Sequence, residues 1–201
     1  MGKYKIFVDG SSGTTGLRIA DRLAERPEFT ILPISEADRK DVHARAAVIN
    51  ESDLSFLCLP DDAAREVVPL LRDDVRILDT STAHRTAPGW AYGIPELSAA
   101  HKYAVVNAKF TANPGCHASG FVIPVYPLVA SGMIPKETPL TVFSLTGYSG
   151  GGKKMIAQYE AEERDGLDPA KDPLKSPRQY GISQLHKHLP EIKAATGLTQ
   201  A

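Results

Sequence analysis

Short apolar runs alternate along the first half of the chain with segments whose apolar residues recur at helical spacing. Tyr4-Lys5-Ile6-Phe7-Val8 predicts a buried strand over Lys3 to Asp9. Leu17, Ile19, Ala20, Leu23 and Ala24 then repeat with a helical period up to Pro27. Phe29 to Ile34 predicts a second strand, and Asp41 to Asn50 a short helix with Val42, Ala46 and Ile49 on one side. Leu54-Ser55-Phe56-Leu57-Cys58-Leu59 is the continuous apolar run of a parallel strand covered on both faces, which places Cys58 in the core. The acidic start Asp61-Asp62 leads a helix through Ala63, Ala64, Val67, Val68 and Leu71, in which Pro69 is awkward and is a candidate for its end. Val75 to Asp79 predicts the next strand. Trp90 to Leu97 reads as a strand or loop entering a short helix. Tyr103 to Asn107 reads as an extended run.

Such alternation argues for a doubly wound parallel sheet, with ligands outside the carboxyl ends of its strands. After Cys116 the pattern changes. Ala118 to Ala130 is helix-capable, Pro139 to Thr146 carries the β-branched and apolar residues of a strand, and Ala157 to Arg164 predicts another helix. Gly166 to Arg178 reads as an irregular excursion. Pro190 suits the first turn of a helix ending before Gly197, which leaves His186 and His188 in its approach.

Bulk properties narrow the function classes. A net charge of -1 gives no electrostatic reason to expect nucleic acid or an anionic membrane as a partner. No apolar run is long enough to span a bilayer, and the N-terminus enters a strand without the apolar core of a signal peptide. Two cysteines in different contexts, Cys58 and Cys116, fit a reducing cytoplasm.

Three loops carry candidate chemistry. Gly10-Ser11-Ser12-Gly13-Thr14-Thr15-Gly16 joins the first strand to the first helix with the spacing G-x-x-G-x-x-G, a relative of the dinucleotide fingerprint. Glycines let the backbone approach a pyrophosphate, the helix start supplies N–H donors, and the hydroxyls suit phosphate oxygens. At the end of the second strand, Ser35 with Arg39 and Lys40 suits a 2′-phosphate and favours NADP, while Glu36 keeps NAD open. Asp79-Thr80-Ser81-Thr82-Ala83-His84-Arg85 offers hydroxyls and an arginine to a phosphate-bearing substrate; the alternative is a polar surface loop.

In Asn113-Pro114-Gly115-Cys116-His117 a turn hands over to a helix. Unpaired N–H groups and the positive end of the dipole favour a thiolate there, so Cys116 is the candidate covalent nucleophile; the alternative is a packed cysteine. Gly147-Tyr148-Ser149-Gly150-Gly151-Gly152-Lys153-Lys154 nearly matches a Walker A loop, but Lys154 replaces the magnesium-binding hydroxyl, which excludes that reading. Lys153 is kept as a candidate for a substrate carboxylate. His186 and His188, without a third ligand, make a poor zinc motif and a better acid/base pair, so no metal is expected.

Taken together, Gly10 to Gly16, Asp79 to Arg85, Asn113 to Cys116 and His186-Lys187-His188-Leu189-Pro190-Glu191-Ile192 closely resemble the N-acetyl-γ-glutamyl-phosphate reductases, in particular their shorter second type. Aspartate-semialdehyde dehydrogenase and glyceraldehyde-3-phosphate dehydrogenase are wider relatives. The resemblance implies a Rossmann-like NADP domain over 1–115, then an α+β catalytic domain over 116–201. Family members are longer, so that second domain is expected to be truncated. It implies Cys116 as nucleophile, a catalytic histidine in the His186/His188 pair and Glu191 as an orienting carboxylate. The expected reaction is NADPH-dependent reductive dephosphorylation of an acyl phosphate through a cysteine thioester, in arginine biosynthesis, by a homo-oligomeric cytoplasmic enzyme. An aspartate-semialdehyde dehydrogenase and a non-catalytic dinucleotide sensor are the alternatives.

Overall fold

The computed structural model describes residues 3–11, 14–161, 168, 172, 174 and 185–199, with the backbone alone at 14–17 and 152–154. Its frame is a six-stranded sheet, built from β1 (Tyr4–Asp9), β2 (Phe29–Ile31), β3 (Leu54–Leu57), β4 (Ile77–Asp79), β5 (Ala91–Tyr92) and β6 (Phe110–Ala112) in the order β2-β1-β3-β4-β6-β5. Each neighbouring pair is parallel. All strands therefore point the same way, and the loops that follow them emerge on one edge.

One face of the sheet is sealed by α2 (Val42–Glu51) and α3 (Asp61–Val67). Phe7, Leu57 and Ile77 pack there against Ala46, Ile49, Val67 and Val75. The Asp41 side chain caps α2, accepting from the His43 and Ala44 N–H groups at 2.8 and 3.0 Å. As expected, α3 ends before Pro69, where the chain tightens into a 3₁₀ turn over Val68–Leu70.

A second apolar cluster lies beyond the sheet. Here α5 (Cys116–Ala130) packs against α7 (His188–Thr196), with Ala118, Val122 and Ile192 buried beside Ile94. Phe121, Tyr126 and Tyr92 extend the contact.

Several elements depart from the sequence pattern. Tyr103 to Asn107 is not extended but belongs to α4 (Ala99–Asn107), capped by Ser98, whose hydroxyl accepts from the His101 N–H at 3.2 Å. Short apolar runs do not separate strand from helix by period, and here the cap decides. Tyr103 is 72% exposed, so its apolar character marks no core position. The strand leading to the cysteine turn is β6 instead.

Residues 139 to 146 form no strand; Phe143 and Leu145 are 88% and 80% exposed. Strand propensity describes a fit to a half-buried pleated surface, and no described strand lies alongside to supply one. The helix expected over Ala157 to Arg164 is α6 (Gly152–Tyr159), which starts inside the glycine–lysine stretch after a 3₁₀ turn at Tyr148–Gly151. Most of the excursion from Gly166 to Arg178 lies outside the described residues. His188 opens α7 rather than preceding it, and Pro190 falls in its first turn.

Candidate functional site

Because the strands run parallel, the segments after β1, β3, β4 and β6 meet on the carboxyl edge of the sheet. Gly10, after β1, has φ +82°, and a Cβ there would come 2.3 Å from the Cys58 carbonyl oxygen. Only glycine fits that cradle, and α1 (Thr14–Ala24) starts just beyond it. Ser12 and Gly13 lie outside the described residues, and the side chains of Thr14 and Thr15 are not described. Ser11 is exposed, and Gly16 lies in the first turn of α1. At the end of β2 the Ser35 hydroxyl donates to Asp38 at 2.7 Å, Arg39 pairs with Glu36 at 3.0 Å on the surface, and Lys40 is exposed.

Behind this turn lies a buried ion pair. Asp9 ends β1, and its Oδ2 lies 3.1 Å from Arg45 Nε, an approach that misses hydrogen-bond alignment. Burial pushes the Asp9 carboxyl up to about 6, although Arg45 pulls the other way.

After β4 the polar side chains turn inward. Asp79 is fully buried; its carboxylate accepts from the Ser81 N–H and hydroxyl at 2.9 and 2.7 Å and from His84 Nδ1 at 2.6 Å. His84 stacks on Trp90 with ring centroids 4.1 Å apart. Thr82 donates to Asp61 through its N–H at 2.9 Å and through its hydroxyl. Arg85 donates to the Asn113 carbonyl at 3.0 Å, to Glu191 at 3.0 Å and to the Thr80 carbonyl at 3.3 Å, with its side chain only 8% exposed. Ser81, Thr82 and Arg85 therefore build the wall of the site through bonds within the protein.

The cysteine turn stands against that wall. The Asn113 N–H donates to the Asp79 carbonyl at 2.7 Å, which registers the turn on β4, while the Asn113 side chain stays exposed. Gly115 is the N-cap of α5 and supplies no side-chain cap, so the first N–H groups of the helix are left without one beside the exposed Cys116. The imidazoles of His117, His186 and His188 gather here: His186 and His188 lie 4.6 Å apart, and His117 lies 6.2 and 5.7 Å from them.

Sequence reasoning left the two late histidines unresolved, and the structure brings both to the site. His188 is the buried one, and its Nδ1 has no hydrogen-bond partner among the described residues. Burial, then the neighbouring His186 and Arg85, push His188 down to about 4. Burial and His117 also lower His186. Both shifts favour the neutral imidazole near pH 7.

Glu191 orients something other than an imidazole. Its carboxylate accepts from the Gly115 N–H at 2.7 Å, from Arg85 at 3.0 Å and from the Tyr92 hydroxyl at 3.0 Å. Burial and the Glu191 charge push the Tyr92 phenol far up, which keeps it a donor. Sequence reasoning missed Tyr92 and His117. The position of His117 beside the cysteine was a usable signal; Tyr92 had none. The Lys153 side chain is not described, though its backbone lies in the first turn of α6 rather than in a loop. Among the described residues no group of three or more His, Cys, Asp or Glu side chains is arranged to hold a metal ion, and no helix is long and apolar enough to cross a membrane.

The sequence matches known proteins across nearly its whole length. Residues 5–104 match the semialdehyde dehydrogenase NAD-binding domain, and residues 116–201 match the semialdehyde dehydrogenase dimerisation domain. An N-acetyl-γ-glutamyl-phosphate reductase of Trichormus variabilis is 45% identical over 200 residues, covering 98% of this chain and 61% of the relative. One from Chelativorans sp. is 46% identical over 197 residues, with the same coverage. The chain thus spans about three fifths of the length of these curated relatives. Among solved structures, aspartate-semialdehyde dehydrogenase II of Vibrio cholerae superposes with a TM-score of 0.60 at 15% identity, over 98% of this chain and 66% of that one. The Francisella tularensis aspartate-semialdehyde dehydrogenase gives 0.58 at 13%, over 98% and 70%. At such identities these two speak for the fold alone. Two domain matches and close relatives along its whole length give one conclusion: the chain belongs to the semialdehyde dehydrogenase family, on the branch of the N-acetyl-γ-glutamyl-phosphate reductases.

Proposed function

We propose that the whole protein reduces N-acetyl-γ-glutamyl phosphate to N-acetylglutamate 5-semialdehyde, a step of arginine biosynthesis, with NADPH as reductant. The observation that carries this reading is Cys116, exposed at the uncapped start of a helix with imidazoles gathered at the same turn. The Cys116 thiolate attacks the acyl carbon, the C–O bond to phosphate breaks, and a thioester forms on the enzyme. The uncapped N–H groups at the start of α5 stabilise the oxyanion. His188 or His186, neutral near pH 7, manages the proton that accompanies collapse to the aldehyde and release of the thiolate.

The dinucleotide fits the chain. Gly10 at the end of β1 and the start of α1 beyond it support a pyrophosphate site, and Ser35, Arg39 and Lys40 are the candidates for a 2′-phosphate, with Ser35 bonded to Asp38 and Arg39 paired with Glu36. Bound there, it would supply the hydride. We assign cofactor binding to 1–115 and catalysis and assembly to 116–201, in a cytoplasmic homo-oligomer. The match of the second part to a dimerisation domain supports the assembly. Lys153 remains the candidate for the substrate carboxylate.

A turnover assay in the oxidative direction tests the reading. N-acetylglutamate semialdehyde with phosphate and NADP should yield NADPH; aspartate semialdehyde should not. A preference for aspartate semialdehyde would move the protein to the sibling enzyme. Binding of the dinucleotide with no thiol-dependent turnover on either aldehyde would leave a sensor.

A further inference from the structure

Glu191 is 2% exposed, and a carboxylate so buried needs donors to hold its charge. Its donors come from separate places. Tyr92 lies in β5, Arg85 in the loop after β4, and Gly115 caps α5, whereas Glu191 itself lies in α7. Tyr92 and Arg85 fall in the part that matches the NAD-binding domain, and Glu191 in the part that matches the dimerisation domain. One buried anion therefore ties the two parts together at the peptide preceding Cys116.

On α7, His188 stands three residues before Glu191, so both project from neighbouring positions of one helix face. A Cβ on Gly115 would come 2.3 Å from His188 Nε2 and 2.6 Å from Arg85 Nη1. The imidazole and the guanidinium thus close over the Gly115 Cα while Glu191 holds its N–H. We propose that Tyr92, Arg85 and Glu191 form a positioning clamp, which fixes the Gly115–Cys116 peptide at the start of α5 and seats His188 against it. Arg85 acts in it through Glu191 and the turn backbone rather than on substrate. The consequence for thiol reactivity rests on the chemistry proposed above; the clamp itself does not.

The test compares the wild-type chain with Tyr92→Phe and Glu191→Gln by two readouts. NMR hydrogen exchange follows the Gly115 amide, and mass spectrometry follows carboxamidomethylation of Cys116 by iodoacetamide. In Glu191→Gln the charge is lost and one carboxylate oxygen becomes an NH2 donor, so either Arg85 or the Gly115 N–H and Tyr92 hydroxyl lose their acceptor, and the bond that remains is weaker. Gly115 exchange should rise, and Cys116 alkylation should slow, each by about tenfold or more, the scale of one hydrogen bond to a charged group. Amides of β1 and β3 should keep their protection. Should Glu191→Gln not fold, Tyr92→Phe carries the same reading at about threefold. Unchanged Gly115 exchange would overturn the clamp. Faster exchange with unchanged alkylation would overturn its link to the thiol. Faster exchange in a protein whose Cys116 reacts no better than Cys58 would support the clamp and sink the nucleophile assignment instead.

Discussion

The two cysteines stand on the same edge of one sheet and meet opposite surroundings. Cys58 follows β3; its N–H donates to the Asp9 carbonyl at 2.8 Å, and its own carbonyl lies under Gly10. Its thiol is pushed up to about 11, first by burial and then by the charges of Asp9 and Asp79, against the pull of a hydrogen bond from Thr80. Cys116 follows β6 across a turn, is exposed, and opens a helix whose first N–H groups no side chain caps. The same sulfur is thus kept protonated by carboxylates and hydrocarbon in one place, and offered to solvent among N–H donors and imidazoles in the other. A position on the carboxyl edge does not make a nucleophile; the groups facing the sulfur do.

The largest effect that would break this contrast is chemical. Iodoacetamide near neutral pH should label Cys116 well before Cys58. Cys116→Ser should lower turnover by about a thousandfold or more, the usual consequence of losing a covalent nucleophile. Cys58→Ala should leave the labelling rate of Cys116 within about twofold. Peptide mapping by mass spectrometry reads both sites in one sample, and preferential labelling of Cys58 would invert the comparison.

Next come the glycines beside each sulfur. Gly10→Ala meets the backbone carbonyl of Cys58 at a positive φ, so neither partner can move aside cheaply. A left-handed residue with a Cβ costs about 1–2 kcal/mol, and overpacking adds about 1–3 kcal/mol. Gly115→Ala meets side chains, His188 and Arg85, which can shift at the expense of the turn. It should cost about 2 kcal/mol, a fall in Tm of about 6 °C for a chain of this size. Gly10→Ala should therefore lower Tm further than Gly115→Ala, whereas Gly115→Ala should slow Cys116 alkylation more. The reverse order in both measurements would show that the two turns had been assigned the wrong roles.

How far the site was legible follows from the range of the signals that carry it. The strand and the helix within Lys3 to Ala24 are local signals, and the structure has them at Tyr4–Asp9 and Thr14–Ala24. So is the Asn113 to Cys116 turn, because Pro-Gly and a helix start are written in consecutive residues. The partners of Glu191 were not legible: Tyr92 and Arg85 lie 99 and 106 residues away, and nothing in either neighbourhood announces a buried carboxylate. The bonds of Arg85 were hidden for the same reason. An arginine among hydroxyls looks like a phosphate site, and its bond to Glu191 across the fold is not written in that loop. Tyr103 to Asn107 and Pro139 to Thr146 failed differently: apolar residues were taken as evidence of burial, and several of them face solvent.

The smallest effect tests the protonated half of the contrast. Between the ordinary thiol value of 9.0 and about 11, the folded state holds the Cys58 proton while the unfolded chain has lost it. The folded state then binds more protons, so stability falls as pH rises through this window, and the contribution is complete below it. At about pH 9.5 the loss attributable to Cys58 should be about half a kcal/mol, since solvent reaching the half-buried sulfur screens part of the shift. Tyrosines and lysines titrate nearby, so the comparison is between wild type and Cys58→Ala, with denaturant midpoints at neutral pH and at about pH 9.5. The alanine variant should lose less stability on going to the higher pH. Equal losses would mean that Cys58 ionises freely in the folded state, and the two sulfurs would then differ in exposure alone.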